Sequence, residues 1–335
     1  MSKIHKSAFV ISLDLELIWG VRDHTARESY SANILGVRKA VPQILDVFEK
    51  FGVRATWATV GFLFAESRDE LLHYLPAPEL RPTYDYAPFS NYNYLGEVGA
   101  NEKQDPYAFA PSLIKLISQA PGQEIGTHTM SHYYCLESGQ SEEAFAADLK
   151  AASNIARARG VKLQSIVFPR NQYSGRHLDI CHQHGIHIYR GNAHGSAYQA
   201  RKTVNQDALI RVKRLAGSYI GLMGSQVHNW TTNDAIFQRG GGLPRAKSLK
   251  NLPASLFLRP NAGVLKIAHP LHLRRIKQQM NIAAEKGKMF HLWWHPHNFG
   301  VNLQDNLHSL EEIASHYLRL NERYGMQSLT MKEAA

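Results

Sequence analysis

From residue 8 the chain alternates with a period of two. Phe9, Ile11, Leu13 and Leu15 fall on one face of a strand over about 8–16, and Ser12, Asp14 and Glu16 on the other. The period then changes: Ile34, Val37, Val41, Leu45 and Phe48 recur at helical spacing, Gly52 marks the C-terminal stop, and Pro42 predicts a kink or a broken start. "VRATWATVGFLF" (53–64), rich in β-branched and aromatic residues, reads as a second strand. Strand, helix and strand joined by short turns make a parallel βαβ unit.

The same rhythm continues: helices near 66–75, 111–119, 142–159 and 269–286, short strands in "QEIGTH", "LQSIVFP", "IHIYRG" and "MFHLWWH", and an amphipathic helix before a last strand "MQSLTM". Ser141 stands at the N-cap of the helix over 142–159 and Gly160 just past its end. Seven or eight βα units point to an α/β fold, an irregular (β/α) barrel of about seven strands. It is read as a single domain over 1–335 with loop insertions near 76–110 and 193–265. The first insertion, rich in Pro, Tyr and Asn, has the length of a functional loop or lid.

Composition narrows the function classes. With 44% hydrophobic and 20% charged residues among 335, the chain is globular. No apolar run approaches the roughly 18 residues of a spanning helix, and the early first strand leaves no room for a signal peptide, so the expected location is the cytoplasm. Cys135 and Cys181 make no disulfide framework. A net charge of +10 favours an anionic partner, but no zinc-finger or RNA-recognition spacing is present, and nucleic acid is not expected. No glycine fingerprint for a nucleotide follows any strand.

Two acids on one strand face repel each other and lose hydration if buried, so a cation or hydrogen-bond donors must meet them. "EIGTHTMSH" offers His128 and His132; if Thr127–His132 begins a helical turn, both imidazoles reach one metal ion, and two histidines with a carboxylate form a common catalytic zinc set. "FPRNQY" brings Arg170 and Tyr173 to another strand end, where an arginine would hold a neighbouring carboxylate ionised. In "FHLWWHPHNFG", His291, Trp293 and His295 share a face, and His295 stands at the strand end as a candidate general acid. Trp293 and Trp294 read as core packing.

An acidic strand motif, HxxxH, RxxY and a late apolar strand ending in histidine occur here in an order that resembles the polysaccharide deacetylases of the NodB-homology type, carbohydrate esterase family 4. The resemblance spans about 8–190 and returns at 288–300. It implies an irregular barrel that removes acetyl groups from sugars with a divalent metal, usually Zn2+. It also implies Asp14 as catalytic base, Glu16, His128 and His132 as metal ligands, Arg170 as support of the base, the Tyr173 backbone NH as oxyanion donor, and His295 as acid. The chain departs from the usual pair of adjacent aspartates, because Leu15 intervenes and the second acid is a glutamate, so the two roles could be exchanged. The DxxxW motif of that family is not found in 193–265.

The implied substrate is an acetylated sugar or glycan intermediate of surface-polysaccharide assembly, such as O-antigen or capsule, with a nucleotide- or lipid-linked carrier suiting the positive charge. Hydrolysis of a non-sugar amide or cyclic ureide, and a glycan-binding barrel without catalysis, are the competing expectations.

Overall fold

The structure is a computed structural model and describes residues 7–193, 195, 202, 215, 217–219, 224–229 and 249–335. Most of the insertion expected over 193–265 lies outside the described residues. The strands are β1 (Ala8–Leu15), β2 (Ala55–Thr59), β3 (Gln123–Thr127), β4 (Ser165–Ile166), β5 (Ile188–Tyr189), β6 (Lys250–Asn251), β7 (Leu256–Phe257), β8 (Met289–Trp294) and β9 (Gln327–Leu329). The helices are α1 (Arg27–Phe51), α2 (Arg68–Tyr74), α3 (Pro111–Gln119), α4 (Glu142–Ala158), α5 (Gly175–Gln183), α6 (His269–Glu285) and α7 (Leu303–Tyr324).

All ladders between these strands are parallel, in the order β6-β5-β4-β3-β2-β1-β8-β7 with β9 also on β1. β9 pairs the first half of β1, at Ala8–Val10, and β2 pairs the second half, from Ser12 to Leu15. The segment carrying β6 and β7 joins the two ends of the sheet: Leu252 and Ala254 donate to Tyr189 and Gly191 beside β5, and Ser255 and Leu258 donate to His291 and Trp293 of β8. One bent segment therefore closes the ring, which has about seven staves although nine short strands are assigned. This is the irregular α/β barrel the period pattern implies.

The two faces of β1 part as the alternation requires. Phe9, Ile11, Leu13 and Leu15 join the outer core with Val37, Val41, Ile44 and Phe48 of α1. Ala8 and Val10 join a smaller inner cluster with Ala58, Val167, Ile188, Leu252 and Met289, closed by Met331 from the C-terminal segment. The barrel interior is thus apolar at one end and turns polar at Ser12 and Asp14, toward the C-terminal strand ends where barrel sites form. α1 runs through Pro42 as one 25-residue helix, so the expected break does not occur, and Gly52 closes it at φ 63°.

Several buried histidines are held neutral. His272 donates from Nδ1 to the Ser218 carbonyl and accepts the Arg259 N–H on Nε2, and burial pushes its pKa down to about 4. His291 donates from Nδ1 to the Leu252 carbonyl and faces the Ser12 hydroxyl; burial and then Arg190 push it to about 3. Burial likewise pushes His177 to about 4. A depressed histidine pKa gives stability that is present above the unfolded value near 6.5 and lost as pH falls toward the folded value. At pH 5 each of the three loses on the order of 2 kcal/mol. Asp148 acts in the opposite sense: burial raises it to about 6, so protonation in the same range offsets about 1 kcal/mol. The expected result is a net fall in unfolding free energy of at least about 5 kcal/mol between pH 7.5 and 5, measured by urea titration in excess chelator. A flat stability over that range would contradict these buried, neutral imidazoles.

Candidate active site

Asp14 ends the polar face of β1, and Glu16 lies one residue beyond the strand, where Leu17 takes a left-handed φ of 46° and starts the 3-10 turn Leu17–Gly20. Gly20 makes room for the Glu16 carboxylate, because a Cβ there would stand 2.0 Å from its carboxyl carbon. After β3 the chain does not enter a helical turn. Thr129 and His132 have φ of 65° and 59°, and the two imidazoles converge through this looped backbone instead. The expected helical HxxxH is therefore corrected: residues 128–132 form a strap, held by buried Asp148 of α4. Asp148 accepts from the Met130 N–H at 2.7 Å, the Ser131 hydroxyl, and Tyr92 Oη at 2.8 Å.

The expected trio meets. His128 Nε2 lies 3.4 Å and His132 Nε2 3.2 Å from the same Glu16 oxygen, all buried. Ligands about 2.0–2.2 Å from a tetrahedral ion stand about 3.3 Å apart, so these separations fit a shared zinc-sized ion. The chemistry of the donors agrees. His128 donates from Nδ1 to the Val167 carbonyl at 2.8 Å, which leaves a lone pair on Nε2 when the ring is neutral. His132 Nδ1 is buried with no hydrogen-bond partner, so Nε2 is its atom that meets the site. Lone pairs and a carboxylate oxygen facing one another repel unless a metal ion or a shared proton lies between them. Burial would raise the Glu16 pKa, but His295, His128 and His132 outweigh it and hold the acid well below the usual carboxylate range. The chain's own residues thus present a Glu/His/His set able to take a metal.

Asp14 meets a different cation. Arg190, one residue past β5 and 1% exposed, grips both its oxygens, Nη1 to Oδ1 at 2.7 Å and Nη2 to Oδ2 at 2.8 Å. Arg190 also donates to Ser12 Oγ and Asn171 Oδ1, and its guanidinium lies 4.2 Å from the centre of the Trp293 ring. Burial opposes ionisation of Asp14, but Arg190 outweighs it and its pKa is lowered. The motif "FPRNQY" and the family resemblance instead imply Arg170 in this role. In the structure Arg170 and Asn171 both adopt left-handed φ, 53° and 54°, and the Arg170 guanidinium turns to Asp23 and over the Tyr134 ring. Tyr173 packs its ring on Phe168 and Tyr189, and that turn sends Arg170 and Asn171 to the cleft wall.

His295 stands at the end of β8, with Nε2 3.7 Å from Asp14 and 3.6 Å from Glu16. Its ring stacks on His297 at 4.9 Å and 6°, and burial, then His295, push His297 to about 3. The turn Pro296–Phe299 that carries His297 can lie this close to α1 because two glycines meet there: a Cβ on Gly36 would be 2.0 Å from the Gly300 oxygen. Trp294 is core, as expected, whereas Trp293 faces an open cleft of about 430 Å³ beside Asp14, Glu16 and His295. Arg190 and Asn171 were missed by sequence reasoning. "IHIYRG" did place an arginine at a strand end, which is the signal that could have found Arg190.

Residues 34–189 match the family model described as Polysaccharide deacetylase. The resemblance read from the motifs is thereby shown, and the match includes His128 and His132, while Asp14, Glu16 and His295 lie outside it. Two solved structures share the fold over most of the chain. One is a polysaccharide deacetylase candidate from Mycobacterium smegmatis, with 14% identity and a TM-score of 0.53, covering 98% of this chain and 87% of that one. The other is a candidate of the same kind from Pseudomonas aeruginosa PAO1, with 11% identity and a TM-score of 0.50, covering 94% and 91%. At these identities the likeness is one of fold. A search of curated proteins found no match. Among the described residues no helix is long and apolar enough to cross a membrane.

Proposed function

We propose that the chain is a metal-dependent hydrolase that removes an acetyl group, most simply N-acetyl, from a sugar or glycan intermediate. The observation that carries this reading is the meeting of Glu16, His128 and His132 around one point, with Asp14 and His295 beside it. The family match supports carbohydrate deacetylation in general. Glu16, His128 and His132 would hold the ion, and zinc suits two imidazoles and a carboxylate. Once bound there, it supplies Lewis-acid polarisation of the acyl oxygen and acidifies water.

The protein groups supply the proton traffic. Asp14 stays ionised because Arg190 clamps it, so at neutral pH it is available to accept a proton from the attacking water. Arg190 fixes its direction. His295, within 3.7 Å of both acids and partly open to the cleft, is placed to protonate the departing amine. Trp293 and Phe257 give the cleft an apolar wall against which a sugar ring can lie.

Replacing His295 with Ala is expected to lower turnover about 10²–10⁴-fold, the usual range for a general acid, while metal content stays at the parent level. Acetate release from N-acetylhexosamine conjugates tests the reading itself. A finer reading assigns the substrate to cytoplasmic surface-polysaccharide assembly on a nucleotide or lipid carrier, supported by the net charge of +10. Turnover of a cyclic ureide without acetate release from any acetylated sugar would contradict the reading.

A further inference from the structure

Residues 76–110 contain three short 3-10 turns, Pro78–Leu80, Ala87–Phe89 and Asn91–Tyr94, and the last of these reaches the underside of both ligand-bearing segments. Asn91 is 3% exposed. Its side-chain NH2 donates to the Trp19 carbonyl at 2.9 Å, inside the turn that follows Glu16, and to the Ser131 carbonyl at 2.9 Å, next to His132. Its Oδ1 accepts from Arg22 Nε at 2.9 Å. The opposite amide orientation would set an oxygen against two carbonyls and the NH2 against a guanidinium, so the network fixes this one. Arg22 adds donations to the Pro88 and Ser90 carbonyls, at 2.6 Å and 3.1 Å, which latch the excursion to the β1–α1 connection. The neighbouring Tyr92 bonds Asp148, the acid that holds the histidine strap.

We propose that Asn91 is a positioning residue that sets the spacing between the Glu16 turn and the His128–His132 strap, and that the excursion over 76–110 acts as a buttress of the ligand set. This rests on the reading of that set as a metal site. The need for a buttress follows from the backbone. Leu17, Thr129 and His132 all hold left-handed conformations without glycine, and such strained conformations persist only where the surroundings over-determine them. One amide that ties both segments together, with every donor and acceptor used, meets that need. A separation that must hold near 3.3 Å between ligands tolerates little slack.

The test compares Asn91→Ala with Ile276→Ala, a core truncation on α6 that lowers stability without touching this network. Two quantities are read on each full-length protein: zinc affinity by chelator competition, and amide hydrogen exchange over 16–22 and 128–132 in metal-free protein. For Asn91→Ala the affinity is expected to fall about 10–100-fold, the range typical of partners that orient ligands, with faster exchange confined to those two segments. Ile276→Ala should keep parental affinity. Equal affinities in Asn91→Ala and the parent, with exchange raised uniformly or not at all, would overturn the proposal. If the parent itself binds no zinc, the metal reading falls, and selective exchange in the two segments alone still decides the buttress.

Discussion

Replacing His128 with Ala is expected to remove metal and turnover together. The residue offers the one nitrogen of its ring not engaged with Val167, and the remaining Glu16 and His132 form a two-donor set that leaves the ion mostly in water. Loss of the Lewis acid takes several kcal/mol from transition-state stabilisation, a fall in turnover of at least about a thousandfold. Glu16→Gln is the companion variant, nearly isosteric, and should show the same joint loss with the fold retained. Metal content by elemental analysis and acetate release on the same preparations check the pair. Turnover that survives in metal-free His128→Ala protein would contradict the role given to this residue.

The second large effect is expected at Arg190. Removing one partner of a buried, bidentate ion pair leaves the other charge without compensation, at a cost of about 3–5 kcal/mol. Arg190→Gln should therefore lower the denaturation midpoint strongly. It should also release the Asp14 carboxyl from the cation that holds its pKa down, so burial then raises it. With a base of raised pKa, the acid limb of the pH–turnover profile moves to higher pH. Adding Asp14→Asn removes the stranded charge and should recover part of the lost stability, a coupling that a double-mutant cycle reads directly. Arg170→Gln, whose partner is Asp23, should leave the acid limb near its parental position. A shift in Arg170→Gln and none in Arg190→Gln would restore the sequence reading and remove this one.

Much of the barrel was legible because its signals are periodic. β1 alternates apolar and polar positions, α1 and α7 carry long helical stripes, and Ser141 caps α4 in the sequence as in the structure. A cation shared by His128, His132 and one of the two acids was legible for a chemical reason, since two acids on one strand face require a cation and an imidazole pair nearby supplies its other ligands. Glu16 rather than Asp14 as the ligand followed only from the family resemblance. The loop path of residues 128–132 was not legible, since left-handed φ at Thr129 and His132 has no glycine to announce it and is imposed by Asp148, which is remote in sequence. The same holds for the arginine beside Asp14. Left-handed Arg170 and Asn171 send one guanidinium to Asp23, and the position it leaves is filled from the end of β5, a pairing of residues 176 apart that no local pattern encodes. The excursion over 76–110 looked like a lid because it lacks periodicity; through Asn91 and Tyr92 it braces the site from below.

A titration of metal-free protein with cobalt(II), followed by its visible d–d absorption, tests the metal centre most directly. One equivalent per chain, with intense four- or five-coordinate bands that disappear in Glu16→Gln and His128→Ala, is the expected result. Absence of those bands in the parent, or their persistence in both variants, would contradict a metal centre built on Glu16, His128 and His132.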